Sequence, residues 1–132
     1  MVPAVRGLNT TCVDAKNCNY ERVTLCAFNL SSSMKEKVDY LDCMDTPWDE
    51  ELTWTKPFSC AKQHSINTKE LQDCFDGPQG DALMKAAAEK MNKQFPKKVF
   101  LPQTVVDGTV VDADYDSIKE QVCKDGSRAS VC

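Results

Sequence analysis

The chain has 132 residues, a formal charge of −4 and eight cysteines. Leu, Ile, Val and Phe make up roughly a fifth of it, near the lower bound for a self-sufficient core, so one cross-linked domain spanning residues 1–132 is expected. The acidic balance and the lack of a Lys/Arg stripe exclude a nucleic-acid binder, and no apolar run approaches the ~20 residues needed to span a membrane.

The predicted elements follow in chain order. Val2–Val5 is a short apolar stretch that reads as a strand, and Cys12–Cys18 is polar and loop-like. From about Tyr20 to Cys43, apolar residues recur at helical spacing at Val23, Ala27, Leu30, Met34, Val38 and Leu41. The Ser31-Ser32-Ser33 run weakens that helix midway and is a candidate break, and Thr46-Pro47-Trp48 marks its stop. Pro57 is placed to start a short helix carrying Cys60. Asn67-Thr68-Lys69-Glu70 reads as a helix N-cap with a reciprocal acid, and that helix closes at Gly77-Pro78. A further helix is predicted over Gln79–Phe95, stopped by Pro96, with Leu83, Ala87 and Met91 as its buried stripe.

The period then changes. Val99 to Val106 is β-branched and aromatic, Asp107-Gly108 is a hairpin turn, and Thr109-Val110-Val111 returns. Asp112 or Asp114 caps a last helix running through Ile118 and Val122 to Cys123, and a polar tail ends at Cys132. There is no internal repeat and no low-complexity linker.

The cysteines are Cys12, Cys18, Cys26, Cys43, Cys60, Cys74, Cys123 and Cys132, and no two form a C-x-x-C. An even, dispersed set suits a disulfide framework made in an oxidising compartment and does not suit a zinc site. No metal or cofactor is expected. Local closures are the favoured pairing: Cys123–Cys132, Cys60–Cys74 and Cys12–Cys26, leaving Cys18 with Cys43. Two sequons, at Asn9 and Asn29, agree with a secreted or endolysosomal chain. Met1-Val2-Pro3 has neither the basic nor the apolar region of a signal peptide, so secretion implies that a signal was removed.

Cys12-Val13-Asp14-Ala15-Lys16-Asn17-Cys18-Asn19-Tyr20-Glu21, ending at Cys26, resembles the signature of the gamma-interferon-inducible lysosomal thiol reductase family (C-Q-H-G-x-x-E-C-x-x-N-x-x-x-x-C). The three cysteines match. The first gap is one residue short, the Gln-His-Gly is absent, and Glu21 stands where the family has Asn. Leu41-Asp42-Cys43-Met44-Asp45 is similar to the family's next cysteine segment, and Cys74-x-x-Gly77-x-x-Gly80 to its helix junction. Leu101-Pro102-Gln103-Thr104-Val105-Val106-Asp107-Gly108 is similar to its Val-Pro-x-x-x-x-Asn-Gly strand. The likeness runs from about Val2 to Cys132, and what it leaves out is the family's front end, whose first strand and helix carry the redox-active C-x-x-C.

The resemblance implies an α+β chain with a partial thioredoxin-like fold: a helical, disulfide-rich insertion followed by a β-hairpin and a C-terminal helix. It implies that Pro102 is a cis-proline which, with Leu101, contacts substrate backbone. It also implies a sheet whose central strand is missing here. A directly closed hairpin, a second copy or a complementing chain would each cover the gap. Without a low-pKa thiolate and a resolving thiol two residues away, no catalytic residue is assigned. The expected role is a binding, accessory or effector protein with a polypeptide or protein partner. The alternative is the C-terminal portion of an active disulfide reductase whose C-x-x-C lies upstream or on another chain, and a third is an inhibitor-like scaffold that uses the fold only for stability.

Other residues carry weaker chemistry. His64, the one histidine, sits near enough to Cys60 in sequence for a Cys–His nucleophilic pair, but its simpler reading is an exposed loop residue. Trp48 and Trp54 flank the acidic Asp49-Glu50-Glu51 and read as buried anchors of the helical middle more readily than as a binding surface. The acidic run and the lysine-rich helix read as solvated faces.

Overall fold

The computed structural model describes residues 18–45, 53–94, 104–124 and 130–132. Two compact units divide the chain, Met1–Pro96 and Lys97–Cys132. The described elements are six helices and one two-stranded antiparallel sheet, a helix-rich α+β composition. The predicted strand at Val2–Val5, the stop at Thr46-Pro47 and the segment 95–103 lie outside the described residues. No helix among the described residues is long and apolar enough to cross a membrane.

The first unit holds five helices, and the serine run does break the first helical stretch. α1 (Asn19–Leu30) ends where the Ser31 amide and hydroxyl both donate to the Ala27 carbonyl, the hydroxyl at 2.7 Å. α2 (Met34–Met44) begins at Ser33, whose hydroxyl accepts from the Glu36 amide. The Glu36 carboxylate reaches back to accept from the Ser32 amide at 2.6 Å and the Ser32 hydroxyl at 2.9 Å. This is a capping box shifted by one residue at its outer end.

α3 (Lys56–Gln63) starts with Pro57 in its first turn and closes on His64. Ser65 then adopts φ 61°, and the Ile66 amide donates to the Ala61 carbonyl at 2.9 Å, which makes a Schellman closure with a serine in the left-handed position. Ile66, only 5 % exposed, joins Ala61 in the core, the apolar contact such closures favour. Asn67 at once caps α4 (Thr68–Asp76): its side-chain oxygen accepts from the Lys69 and Glu70 amides, and its amide donates to the Glu70 carboxylate. The sequence-level cap and its reciprocal acid are thus both realised.

Gly77 is the extended link to α5 (Pro78–Gln94), whose first residue is a proline that needs no amide partner. The inward stripe of α5 is Gly80, Met84, Ala87, Ala88 and Met91. Leu83, expected on it, is only partly buried and packs instead against the α1–α4 core. That core is built from Val23, Cys26, Ala27 and Phe28 of α1, Tyr40 of α2, Cys60 and Ala61 of α3, Ile66, and Leu71 and Cys74 of α4. Met84, Ala87 and Ala88 form a second cluster with Leu25 and Cys18.

In the second unit, β1 (Thr104–Val106) pairs antiparallel with β2 (Thr109–Val111), in the register Thr104↔Val111, Val105↔Val110, Val106↔Thr109. Asp107 at φ 48° and Gly108 at φ 81° supply the two left-handed residues of a type I′ turn, which matches strand twist. Of the two candidate caps, Asp114 serves: it accepts from the Ser117 amide at 2.9 Å and opens α6 (Tyr115–Cys123). α6 packs on both strands yet buries no residue fully. A two-stranded hairpin is marginal alone, so this unit relies on α6 and on the Cys123–Cys132 disulfide beside it.

The described disulfides correct most of the expected pairing. Cys26 bonds Cys74 and Cys43 bonds Cys60, which rules out Cys60–Cys74, Cys12–Cys26 and Cys18–Cys43. Cys123–Cys132 is as expected. Proximity in sequence misleads because each helix face chooses its neighbour. Cys60 of α3 meets α2, while Cys74 of α4 meets α1, a link across 48 residues.

Candidate functional site

Seven cysteines are described, and all seven are disulfide-bonded, Cys18 included. Cys26, Cys60 and Cys74 are 2 % exposed or less, and Cys43 is partly buried, so two of the bonds lie in or at the core. Cys60 is therefore no nucleophile for His64, which sits half-buried as the C-cap of α3. Among the described residues no cluster of three His, Cys, Asp or Glu converges to hold a metal. Asn29 is exposed at the penultimate position of α1. Leu101, Pro102, Asn9, Cys12 and Trp48 lie outside the described residues.

Among the described residues, one densely bonded side chain is not singled out by the sequence: Arg22. Arg22 lies one turn before Cys26 on α1, and its side chain is 22 % exposed. Its Nε donates to the Phe75 carbonyl at 2.6 Å and its Nη2 to the Gly77 carbonyl at 2.9 Å. Its Nη1 meets Asp81 Oδ1, and the guanidinium stands 5.6 Å from the centre of the Phe75 ring. The Phe75 carbonyl lies in the last turn of α4, where helix carbonyls lose their amide partners, and Arg22 answers it with a charge-assisted bond; the Gly77 carbonyl accepts from both Arg22 and the Gly80 amide.

Gly80 makes room for it, and Gly77 fits the turn beside it. A Cβ on Gly80 would stand 2.5 Å from Arg22 Nε and 2.7 Å from the Cys74 carbonyl oxygen, and one on Gly77 would stand 2.7 Å from the Asp73 carbonyl. Cys26–Cys74 and Arg22–Phe75/Gly77 are thus consecutive fastenings of one face of α1 to the α4–α5 corner. The signal for this was in the sequence as Arg22 and Cys26 at i, i+4, opposite a Cys-x-x-Gly-x-x-Gly.

An aromatic cluster borders the same corner. Trp54, 39 % exposed, contacts Tyr20 (5.6 Å between ring centres), Phe58 (5.9 Å) and Phe75 (5.1 Å). This corrects the expected buried anchor: the ring packs on three others at the edge of the helical middle and is itself exposed. In the second unit an open cleft of about 270 Å³ lies between β2 and α6, lined in part by Val110, Val111, Asp112, Ser117, Glu120 and Lys124.

Electrostatics add little chemistry. Burial pushes the Tyr40 phenol above its ordinary range, and its hydroxyl has no hydrogen-bond partner. The Ser32 amide and hydroxyl hold the Glu36 carboxyl below the usual range, and the Ser117 amide does the same for Asp114. Each is a structural cap or a core residue, and none is poised as an acid or base beside a cavity. Comparison with protein-family models, with curated proteins and with solved structures returns no match to the chain.

Proposed function

We propose that the chain is a thioredoxin-related protein of the gamma-interferon-inducible lysosomal thiol reductase lineage that works in a secretory or endolysosomal lumen as a binding or accessory protein rather than as a reductase. One observation carries this reading: every described cysteine is bonded, with Cys26–Cys74 inside the core and Cys43–Cys60 at its edge, and no pair has the C-x-x-C spacing a reductase needs. The dithiol chemistry of such a family is then absent from this chain, and what remains is a cross-linked scaffold. The segment before the hairpin, with Leu101 and Pro102, is the one that the resemblance assigns to extended polypeptide.

Insulin reduction tests the first half of the proposal. The purified chain should give no turnover with dithiol as the electron source, and clear turnover would overturn the reading. Peptide capture tests the second half. A fluorescent extended peptide should bind the wild-type chain and lose affinity with Pro102→Ala, whereas equal binding by both would remove Leu101 and Pro102 from the site. A second reading follows from the resemblance: the chain is the C-terminal portion of an active reductase whose C-x-x-C lies upstream or on another chain. Restored insulin reduction on adding a C-x-x-C-bearing front segment would select it.

A further inference from the structure

The disulfides of this chain are unequal in access. Cys26 and Cys74 are 0 % and 2 % exposed, and Cys60 is 0 % exposed. Cys132 is exposed, next to the exposed Val131, and Cys123 is only partly covered at the last position of α6. The elements that hold Cys123 are also weakly packed. α6 has no fully buried residue, and Val110 of the neighbouring strand is 57 % exposed. Thiol–disulfide exchange requires a thiolate to approach along the S–S axis, so access and local opening set its rate. For Cys26–Cys74, approach requires parting α1 from α4 against the core and the Arg22 bonds. For Cys123–Cys132, it requires no unfolding of the five-helix unit.

We infer that Cys123–Cys132 is a thiol-exchange site, open to small monothiols of the glutathione class, while Cys26–Cys74 is inert and Cys43–Cys60, with Cys60 fully buried and Cys43 partly so, exchanges more slowly. In the first step the incoming thiolate attacks Sγ of Cys132, the more exposed residue of the pair. A mixed disulfide forms at Cys132, the Cys123–Cys132 bond breaks, and its electron pair leaves on Cys123 Sγ, which takes up a proton. A second thiolate attacks the adduct, releases the small-molecule disulfide and leaves two protein thiols, so each pair of monothiols is oxidised as one protein disulfide is reduced. The chain is here the acceptor of reducing equivalents, which is independent of whether it is a binding protein.

The test is native-state exchange followed by alkylation and peptide mapping. The intact, oxidised chain is held with reduced glutathione, sampled over time and trapped with iodoacetamide at denaturing strength. The expected result is a glutathione adduct on the Cys132 peptide and alkylation of Cys123, at least about tenfold ahead of label on Cys26, Cys43, Cys60 or Cys74. Far-ultraviolet circular dichroism should hold its helical signal while this happens. Simultaneous labelling of the Cys26–Cys74 or Cys43–Cys60 pair, or no adduct before the helical signal is lost, would overturn the inference. The Cys123→Ser/Cys132→Ser double variant supplies the second measurement. It should remain helical and take up no early adduct on Cys26, Cys43, Cys60 or Cys74, and an early adduct on any of these would overturn the inference.

Discussion

Gly80→Ala separates the tertiary role of a glycine from its helix propensity. Gly80 lies in the first turn of α5, and on propensity alone alanine would stabilise the helix by about 0.5–1 kcal/mol. The structure reverses that sign. The new methyl would meet Arg22 Nε at 2.5 Å and the Cys74 carbonyl at 2.7 Å. The arginine end can swing, but the carbonyl belongs to the backbone beside a disulfide and moves only with α4. Swinging Arg22 away forfeits at least one of its bonds to the Phe75 and Gly77 carbonyls, each worth about 1.5–3 kcal/mol as a bond from a charged donor. Residual overpacking adds ~1 kcal/mol or more. Subtracting the propensity gain leaves a net loss of about 2 kcal/mol, or roughly 10 °C in Tm for a unit of this size.

Thermal unfolding under non-reducing conditions, followed by circular dichroism, reads that loss. The companion Arg22→Ala/Gly80→Ala double variant completes a cycle: with the guanidinium gone, the added cost of the alanine should fall by more than half. A Gly80→Ala protein that melts at or above the wild-type temperature would refute the reasoning, because helix propensity would then outweigh the corner.

Further predictions follow from single residues. Tyr40→Phe removes a buried hydroxyl without a partner and should stabilise the chain by about 1 kcal/mol in urea unfolding; a loss of stability would mean that the hydroxyl is satisfied. The same phenol gives a pH dependence. Its folded-state pKa is raised by burial, so the unfolded chain releases the proton first, near pH ~10, and stability should decline as pH rises beyond that point in wild type more than in Tyr40→Phe. Ser65→Gly relieves a left-handed serine at φ 61° and should add roughly 0.5–1 kcal/mol, read as a rise in the urea midpoint at unchanged slope. Glu36 and Asp114 are lowered by the Ser32 and Ser117 bonds, so their caps contribute at neutral pH and are lost as pH falls through the folded-state values. Carboxyl chemical shifts should show both titrating below an exposed reference carboxylate.

Elements written in local chemistry were legible in the sequence. Asn67 with Glu70, Pro57, the Asp107-Gly108 turn and the serine break between α1 and α2 each act within four residues, where composition and spacing carry the whole cause. The disulfide pairing was not legible, because it depends on which helix faces which. Once formed, a wide link restricts the unfolded chain more, by about 4 kcal/mol for the 48-residue span of Cys26–Cys74 against ~3 kcal/mol for the 9-residue span of Cys123–Cys132. Short loops close at a lower entropic cost, so chain entropy does not select the native pairing, and helix packing does. Arg22 escaped notice for a related reason, since its partners are backbone carbonyls more than 50 positions away, and carbonyls have no signature in a sequence.

That same corner bears on what the family resemblance can carry. Cys74, Gly77 and Gly80 are among the residues on which the resemblance rests, and in the structure each has a packing reason to be what it is. Cys74 bonds Cys26, Gly77 presents its carbonyl to Arg22 and has no room for a Cβ, and Gly80 admits the guanidinium. None of these reasons involves electron transfer. Any chain that lays a helix bearing Arg and Cys at i, i+4 across such a corner needs the same Cys-x-x-Gly-x-x-Gly, whether or not a C-x-x-C precedes it. The likeness therefore follows the scaffold, and a scaffold is compatible with many functions. Activity has to be argued from sulfur atoms that a thiol can reach, and among the described disulfides the most open one is at Cys132, in the unit that does not contain this corner.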